Sequence, residues 1–224
     1  MPSVRSPAKI MSSEARFPDH HHWPVSLRHG SVRLDPLRRS DRREWNEVRG
    51  RNFGWLLAWE PTVPPGGDNR PGSFTELVRT MNAQARHDAT LPWVIRYTHG
   101  SDQPVLAGQL TVNNIIGGAA MTGSIGYWVD ERWAGRGIVP TAVALAMDYC
   151  FSVMRLHRIE VAIRPENGRS LRVVEKLGFR SEGLRPRYLH INGQWRDHLI
   201  FALHADELSG PMLSRVGDTP RRLA

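Results

Sequence analysis

Hydrophobic and polar positions change period several times along this chain, and each change marks an element. Residues 32–37 alternate and predict a strand; Ser40 then opens a helical pattern running toward Phe53. The stretch 55–72 is rich in Pro and Gly yet carries Trp55, Leu56, Leu57 and Trp59. It is too apolar for a linker and reads as a loop that either serves a site or covers the core. Ser73-Phe74-Thr75-Glu76 has the form of a capping box and predicts a helix to about residue 86. Three β-rich runs follow at 91–97, 105–112 and 123–129, separated by turn residues such as Gly117-Gly118. Residues 138–154 then place Val143, Met147, Cys150 and Met154 on one helical stripe, with Pro140 tolerable in the first turn. A strand at 159–163, a short helix at 167–177 stopped by Gly178, and strands at 184–191 and 194–203 complete the pattern. Asn192-Gly193 joins the last two and is a strong two-residue hairpin signal. The order predicts one mixed α/β (α+β) domain around a single sheet, spanning 27–206. Residues 1–26 and 207–224 lack a sustained period and are expected as a flexible arm and tail.

Composition adds little to this picture but removes several classes. At 40% hydrophobic and 23% charged residues the chain is globular in type, and its 224 residues suit one well-buried domain. No apolar run approaches the roughly 18 residues of a membrane-spanning helix, and the first 30 residues contain no apolar signal region, so a cytoplasmic protein is expected. Cys150 is the single cysteine and reads as core filler. The run His20-His21-His22 has no spacing that completes a metal site, and no metal is expected. The net charge of +8 is almost entirely arginine, since Lys9 and Lys176 are the only lysines, which fits a compositional preference as well as it fits a phosphate-bearing partner.

The chemistry concentrates at Tyr127-Trp128-Val129-Asp130-Glu131-Arg132-Trp133-Ala134-Gly135-Arg136-Gly137-Ile138, where a predicted strand runs through a glycine-bearing turn into a helix. Such a junction gathers unpaired backbone N–H groups and the positive helix end around one point, which suits a phosphate. The glycines let the backbone come close to a ligand, and Arg136 adds charge. No G-x-x-x-x-G-K-[ST] is present, and Gly135-Arg136-Gly137 lacks the third glycine of G-x-G-x-x-G, so P-loop and Rossmann sites are excluded. Farther on stand Asn167-Gly168-Arg169-Ser170 and Glu175-Lys176-Leu177-Gly178-Phe179. From the residues alone, Asn167 and Ser170 serve equally well as helix caps or as ligands.

Arg132-x-x-Gly135-x-Gly137 resembles the Q/R-x-x-G-x-G/A pyrophosphate loop of the GNAT superfamily of acyl-CoA-dependent N-acetyltransferases, and the second segment resembles that superfamily's N-x-x-S…E-K-L-G-F. Leu156-His157-Arg158-Ile159, Gly183, Tyr188, Leu189 and Ile191-Asn192-Gly193-Gln194-Trp195-Arg196-Asp197-His198 are similar to the RimJ and RimL type of ribosomal-protein alanine acetyltransferase. The likeness covers about residues 28 to 204.

The resemblance implies a mixed, mostly antiparallel seven-stranded sheet splayed at a central V, with helices on both faces. It implies acetyl-CoA as cosubstrate, held by the backbone of Trp128 and Val129, by Arg132, Ala134, Gly135, Arg136, Gly137, Ile138 and Val139, and by Asn167 and Ser170. Acetyl transfer would be direct, with Ser170 as proton donor to the thiolate and Tyr188 as the alternative acid. Where RimL-type enzymes carry a glutamate before the hairpin, this chain has Leu189, so the resemblance does not identify a general base, and water-mediated loss of the amine proton is one route. Trp55, Trp59, Tyr188 and Trp195 are the implied acceptor-binding residues. The implied acceptor is a protein N-terminus, of a ribosomal protein in the nearest subgroup, with nucleic acid met only through the ribosome and a monomer or homodimer as the assembly. Alternative readings are a GNAT enzyme acting on a small amine such as a polyamine or antibiotic, or transferring another acyl group. A non-catalytic CoA-sensing or nucleic-acid-binding module is a further alternative, prompted by the arginines from Arg155 to Arg187.

Overall fold

The computed structural model describes residues 23–67 and 72–216; the His20-His21-His22 run and most of the expected arm lie outside the described residues. Eight strands form one sheet, one more than expected. The addition is β1 (Leu27–His29), which turns at Gly30 and pairs antiparallel with β2 (Val32–Pro36). Three residues are too few to show a period, which is why the hydrophobic pattern does not reveal β1. After β2 come α1 (Arg42–Arg51), the single turn α2 (Phe53–Leu57) and α3 (Phe74–Arg86). The helix expected from Ser40 breaks at Asn52, which is 2% exposed and uses its side chain on both sides. Its Nδ2 donates to the Val48 carbonyl at 2.8 Å and its Oδ1 accepts from the Glu131 N–H at 2.9 Å. At α3 half of the expected capping box forms: Ser73 Oγ accepts from the Glu76 N–H at 3.2 Å, but the Glu76 carboxylate accepts from the Gly72 N–H at 2.8 Å in place of the Ser73 N–H.

Strands β3 (Leu91–Tyr97), β4 (Val105–Ile116) and β5 (Thr122–Val129) form an antiparallel meander, after which α4 (Ile138–Ser152) crosses to β6 (Arg158–Ile163). Then follow α5 (Gly168–Leu177), β7 (Arg180–Ile191) and β8 (Gln194–His204), giving the order β1-β2-β3-β4-β5-β6-β8-β7. Every neighbouring pair is antiparallel except β5 and β6. Those two are parallel and pair only over Thr122–Arg158, Gly123–Ile159 and Ser124–Glu160, beyond which they part.

The sheet is covered on both faces. Trp93 and Ile95 of β3 pack with Met147, Cys150 and Val174 of α4 and α5, whereas Val94 joins Val48 of α1 and Val78 of α3 on the other side. Alternate β3 side chains thus feed separate cores, as strand geometry requires. Helix α4 is buried almost all round, so its apolar stripe understates its central position.

Packing extends past both sequence-based limits of the domain. Trp23 meets Trp93 edge-on at 5.5 Å and donates to Asn82 Oδ1, while Trp93 Nε1 donates to the Val25 carbonyl. Beyond residue 206 a short turn at Met212–Arg215 docks on α4 with Met212 fully buried; Asp148 accepts from the Met212 and Leu213 N–H groups, and Arg215 reaches the Leu177 carbonyl. One methionine and a few backbone bonds suffice to dock a segment that has no hydrophobic period. Among the described residues no helix is long and apolar enough to cross a membrane.

Gly108 of β4 faces Val129 of β5, and a Cβ there would lie 2.2 Å from the Trp128 carbonyl oxygen, whereas one at Gly126 would meet nothing closer than Asn113 Nδ2 at 3.8 Å. Gly108→Ala should therefore cost on the order of 2 kcal/mol through overpacking, a fall of about 4–8 °C in Tm for a chain of this size. Gly126→Ala should melt close to wild type. Thermal unfolding followed by circular dichroism checks the pair, and equal melting of the two variants would contradict this account of β4 and β5.

Candidate active site

Because α4 follows β5 and α5 follows β6, both helices start where the parallel strands part. A cavity of about 930 Å³ occupies this place, walled by β5, the start of α4, the start of α5 and the α1–α2 region. Along β5 the alternation sends Tyr127 and Val129 toward α4 and α5, while Trp128 turns to Trp45 of α1 at 6.3 Å and lies under the Arg49 guanidinium at 5.3 Å.

The turn after β5 is fixed by Asp130, whose Oδ1 caps the Arg132 N–H at 3.2 Å. Its Oδ2 accepts from Arg51 at 2.8 Å and from the Arg132 side chain at 2.9 Å. Burial alone would raise the Asp130 carboxyl, but Arg132 and Arg51 outweigh it and hold the group below its usual range. Gly135 and Gly137 then adopt φ of 79° and 77°, a left-handed backbone that glycine alone takes without strain. Nothing lies within 4 Å of a Cβ built at either position, so the surface over the turn is open. Gly137 stands at the N-cap of α4 without a side-chain partner, which leaves the first N–H groups of that helix for a ligand. On the opposite wall Asn167 Oδ1 accepts from the Ser170 N–H at 3.1 Å. Asn167 thus caps α5, and the half-buried Ser170 faces the cavity.

The stretch 55–61 roofs this space. Trp55 Nε1 donates to the Val129 carbonyl at 3.1 Å, and Arg169 stacks over the Trp55 ring at 4.4 Å. Arg164 stacks over Trp59 and donates to the Ala58 carbonyl at 2.6 Å. Pro61 bridges to Ile191 of β7. Arg49 and Glu60 on the wall are joined to each other as an ion pair.

Of the residues singled out in the sequence, Trp55, Trp59, Trp128, Val129, Ala134, Gly135, Gly137, Ile138, Val139, Asn167 and Ser170 all line the cavity. Arg132 and Arg136 do not: the first is turned back on Asp130, and the second stacks over Trp133 at 5.1 Å. Arg169, Arg172 and Lys176 of α5 supply the cations at this wall instead. Tyr188 and Trp195 also lie outside it, at 37% and 53% exposure. The Tyr188 ring faces His198 and Arg185, and Trp195 faces His190, because they belong to the outermost strand pair. Cys150 is fully buried with its thiol pushed up to about 12 by burial, consistent with a filler of the core.

Tyr127 is the residue that sequence reasoning passed over, although strand alternation from Trp128 would have put it on the α5 side. Burial pushes its phenol up to about 12, and the neighbouring Ser170 lowers it only in part. The two hydroxyls are close enough to influence each other, yet they do not meet in hydrogen-bond geometry, and Tyr127 Oη has no other partner. Outside the cavity, His157, His204 and Asp206 bring potential ligand atoms within 4.8 Å of one another. Arg158 and Arg180 stand at 3.0 and 2.9 Å from His204 Nε2, so that face of the imidazole is already taken by cations.

A free strand edge, open left-handed glycines and helix N-termini beside cations fit an elongated ligand carrying phosphates. The chain belongs to the GNAT acetyltransferase family: residues 31–180 match the family model described as Acetyltransferase (GNAT) domain. More particularly, it is similar to the [Ribosomal protein uS5]-alanine N-acetyltransferase of Escherichia coli (strain K12), being 34% identical over 174 residues, 73% of this chain and 83% of that protein. The solved structure of Mycobacterium smegmatis RimJ in complex with CoA-disulfide matches with a TM-score of 0.78 at 37% identity, covering 87% of this chain and 94% of that one. A shorter match is 44% identical to the Probable N-acetyltransferase YjcK of Bacillus subtilis (strain 168) over 98 residues; it spans 44% of this chain and 54% of that protein.

Gly137→Val places a β-branched residue at a φ of 77°, so the turn must shift and carry its N–H groups away from the ligand. Affinity for acetyl-CoA should fall about tenfold, or about 1.4 kcal/mol, with the fold kept. Titration calorimetry reads this, and unchanged affinity would remove the turn from the binding site.

Proposed function

We propose that this chain is an acetyl-CoA-dependent N-acetyltransferase whose acceptor is the α-amino group of a protein N-terminus, a ribosomal protein being the favoured class. The observation that carries the reading is the parting of β5 from β6 over a cavity whose walls bring Ser170, both helix starts and the indoles of Trp55, Trp59 and Trp128 to one space. The uS5-alanine relative supports the choice of acceptor.

When bound, acetyl-CoA supplies an acetyl group activated on sulfur. The chain's own residues do the rest. The β5 backbone from Tyr127 to Val129 offers the strand edge along which the pantetheine arm pairs, and the turn at Gly135 and Gly137 holds the pyrophosphate with Arg169, Arg172 and Lys176 nearby. The indoles of Trp55, Trp59 and Trp128 flank the space in which an acceptor would meet the acetyl group. As the amine nitrogen takes the acetyl carbon and the carbon–sulfur bond breaks, Ser170 Oγ–H protonates the departing sulfur, and the nitrogen's surplus proton passes through water to restore Ser170 Oγ–H.

Two carboxylates line the cavity, Glu60 and the exposed Glu131 in the turn after β5, which no ion pair holds among the described residues. Glu60, on the cavity wall, is committed to Arg49. An α-amino group with a pKa near 7.7–8.0 is neutral in roughly one molecule in ten at pH 7, whereas lysine at about 10.4 is neutral in only a few per ten thousand. A polyamine would need several unpaired carboxylates to hold its charges, and against the single Glu131 the α5 wall sets Arg169, Arg172 and Lys176.

Transfer of labelled acetyl groups to peptides with free Ala or Ser termini should outpace transfer to the same peptides blocked at the terminus and carrying internal lysine. Equal rates on both peptide sets, or turnover with spermidine only, would reject the N-terminal acceptor.

A further inference from the structure

Ser170 is half-buried at the cavity wall, and Asn167 engages it through the backbone N–H, which leaves the direction of the Oγ–H to side-chain neighbours. A serine hydroxyl has one hydrogen and two lone pairs, so a donor occupying a lone pair turns the hydrogen elsewhere. Tyr127 Oη is the neighbour. It reaches the same wall from β5, is buried, and has no hydrogen-bond partner in this conformation. Leaving a hydroxyl buried and unpaired is costly, and such groups are rare in folded proteins and call for an explanation.

We propose that Tyr127 is a positioning residue for the transfer reaction: its phenol donates a hydrogen bond to Ser170 Oγ in the loaded site and thereby turns the serine hydrogen toward the sulfur. The inference rests on the acetyltransferase reading above and adds the group that aims its proton donor. The arrangement also suits a phenol held by burial well above neutral pH, because it stays a donor over the whole range in which an amine is acetylated. The hydroxyl that this structure leaves unpaired then gains its partner when the site fills. Trp133 Nε1 is likewise buried without a partner on the cavity wall, but it sits in the turn after β5, with its ring against Tyr97 and Arg136.

The test uses Tyr127→Phe, Ser170→Ala and the double variant in the full chain. Losing a hydroxyl that bonds to nothing should leave Tm equal or higher, whereas a structural role for the hydroxyl would lower it. Tyr127→Phe should lower kcat about tenfold, the worth of one hydrogen bond of about 1.4 kcal/mol, with KM for acetyl-CoA changed by no more than about twofold. Ser170→Ala should lower kcat on the order of 10²-fold, and adding Tyr127→Phe to it should lower kcat no further. A second readout needs no acceptor: by calorimetry Tyr127→Phe should weaken free CoA by about threefold and leave desulfo-CoA unchanged, because the hydrogen bond in question is made at sulfur. Wild-type kcat in Tyr127→Phe, an equal loss in both backgrounds, or equal weakening of CoA and desulfo-CoA would overturn the proposal. Transfer to spermidine but not to peptides would sink the N-terminal acceptor alone, and the same kcat ratios would then be read on spermidine.

Discussion

Three paired residues hold the parallel strands β5 and β6 together, and the site depends on their pairing going no further. Strand β5 remains committed to β4 as far as Val129, and β6 to β8 over its whole length, so the two halves of the sheet follow different partners. The backbone of β5 from Ile125 onward is left with an edge that no neighbouring strand fills, and buried backbone groups must find partners somewhere. One of them, the Val129 carbonyl, is met by the Trp55 indole. The α4 and α5 helices begin where the strands separate and both bring positive ends to the gap, but α5 is capped by Asn167, whereas no side chain caps α4. Binding an extended chain with phosphates follows from that geometry more than from any single side chain.

Arginine organises the surroundings in two ways. Arg51 and Arg132 are consumed in holding Asp130, which sets the turn that carries Gly135 and Gly137. Arg164 and Arg169 lie flat on Trp59 and Trp55 and tie the roof to the start of α5. These four arginines are engaged locally, in setting the turn and the roof of the cavity.

The glycine turn, the N-x-x-S segment and the Asn192-Gly193 hairpin were legible because each depends on local backbone chemistry. Left-handed φ at 135, 137, 192 and 193 demands residues that sequence displays directly. The cavity-facing set was legible for the same reason, since it lies on contiguous strand, turn and helix. What depends on distant contacts was not. Arg132 reads as a phosphate ligand until Asp130 and Arg51 are seen beside it, and Tyr188 and Trp195 read as acceptor walls until β7 and β8 are placed at the edge of the sheet. The docking of Met212 on α4 and the short β1 likewise rest on tertiary contacts with no periodic signal. Tyr127 was within reach of the strand period but stood next to a more conspicuous tryptophan.

The central claim, that the unpaired edge of β5 and the adjoining turn form the cofactor cradle, is most directly tested by amide hydrogen exchange with and without CoA. Exchange should slow at residues 126–129 and 135–139 and at the start of α5, while residues 122–124, already paired with β6, should not change. Protection confined to the β7–β8 hairpin, or none at 126–129 and 135–139 at saturating CoA, would contradict it.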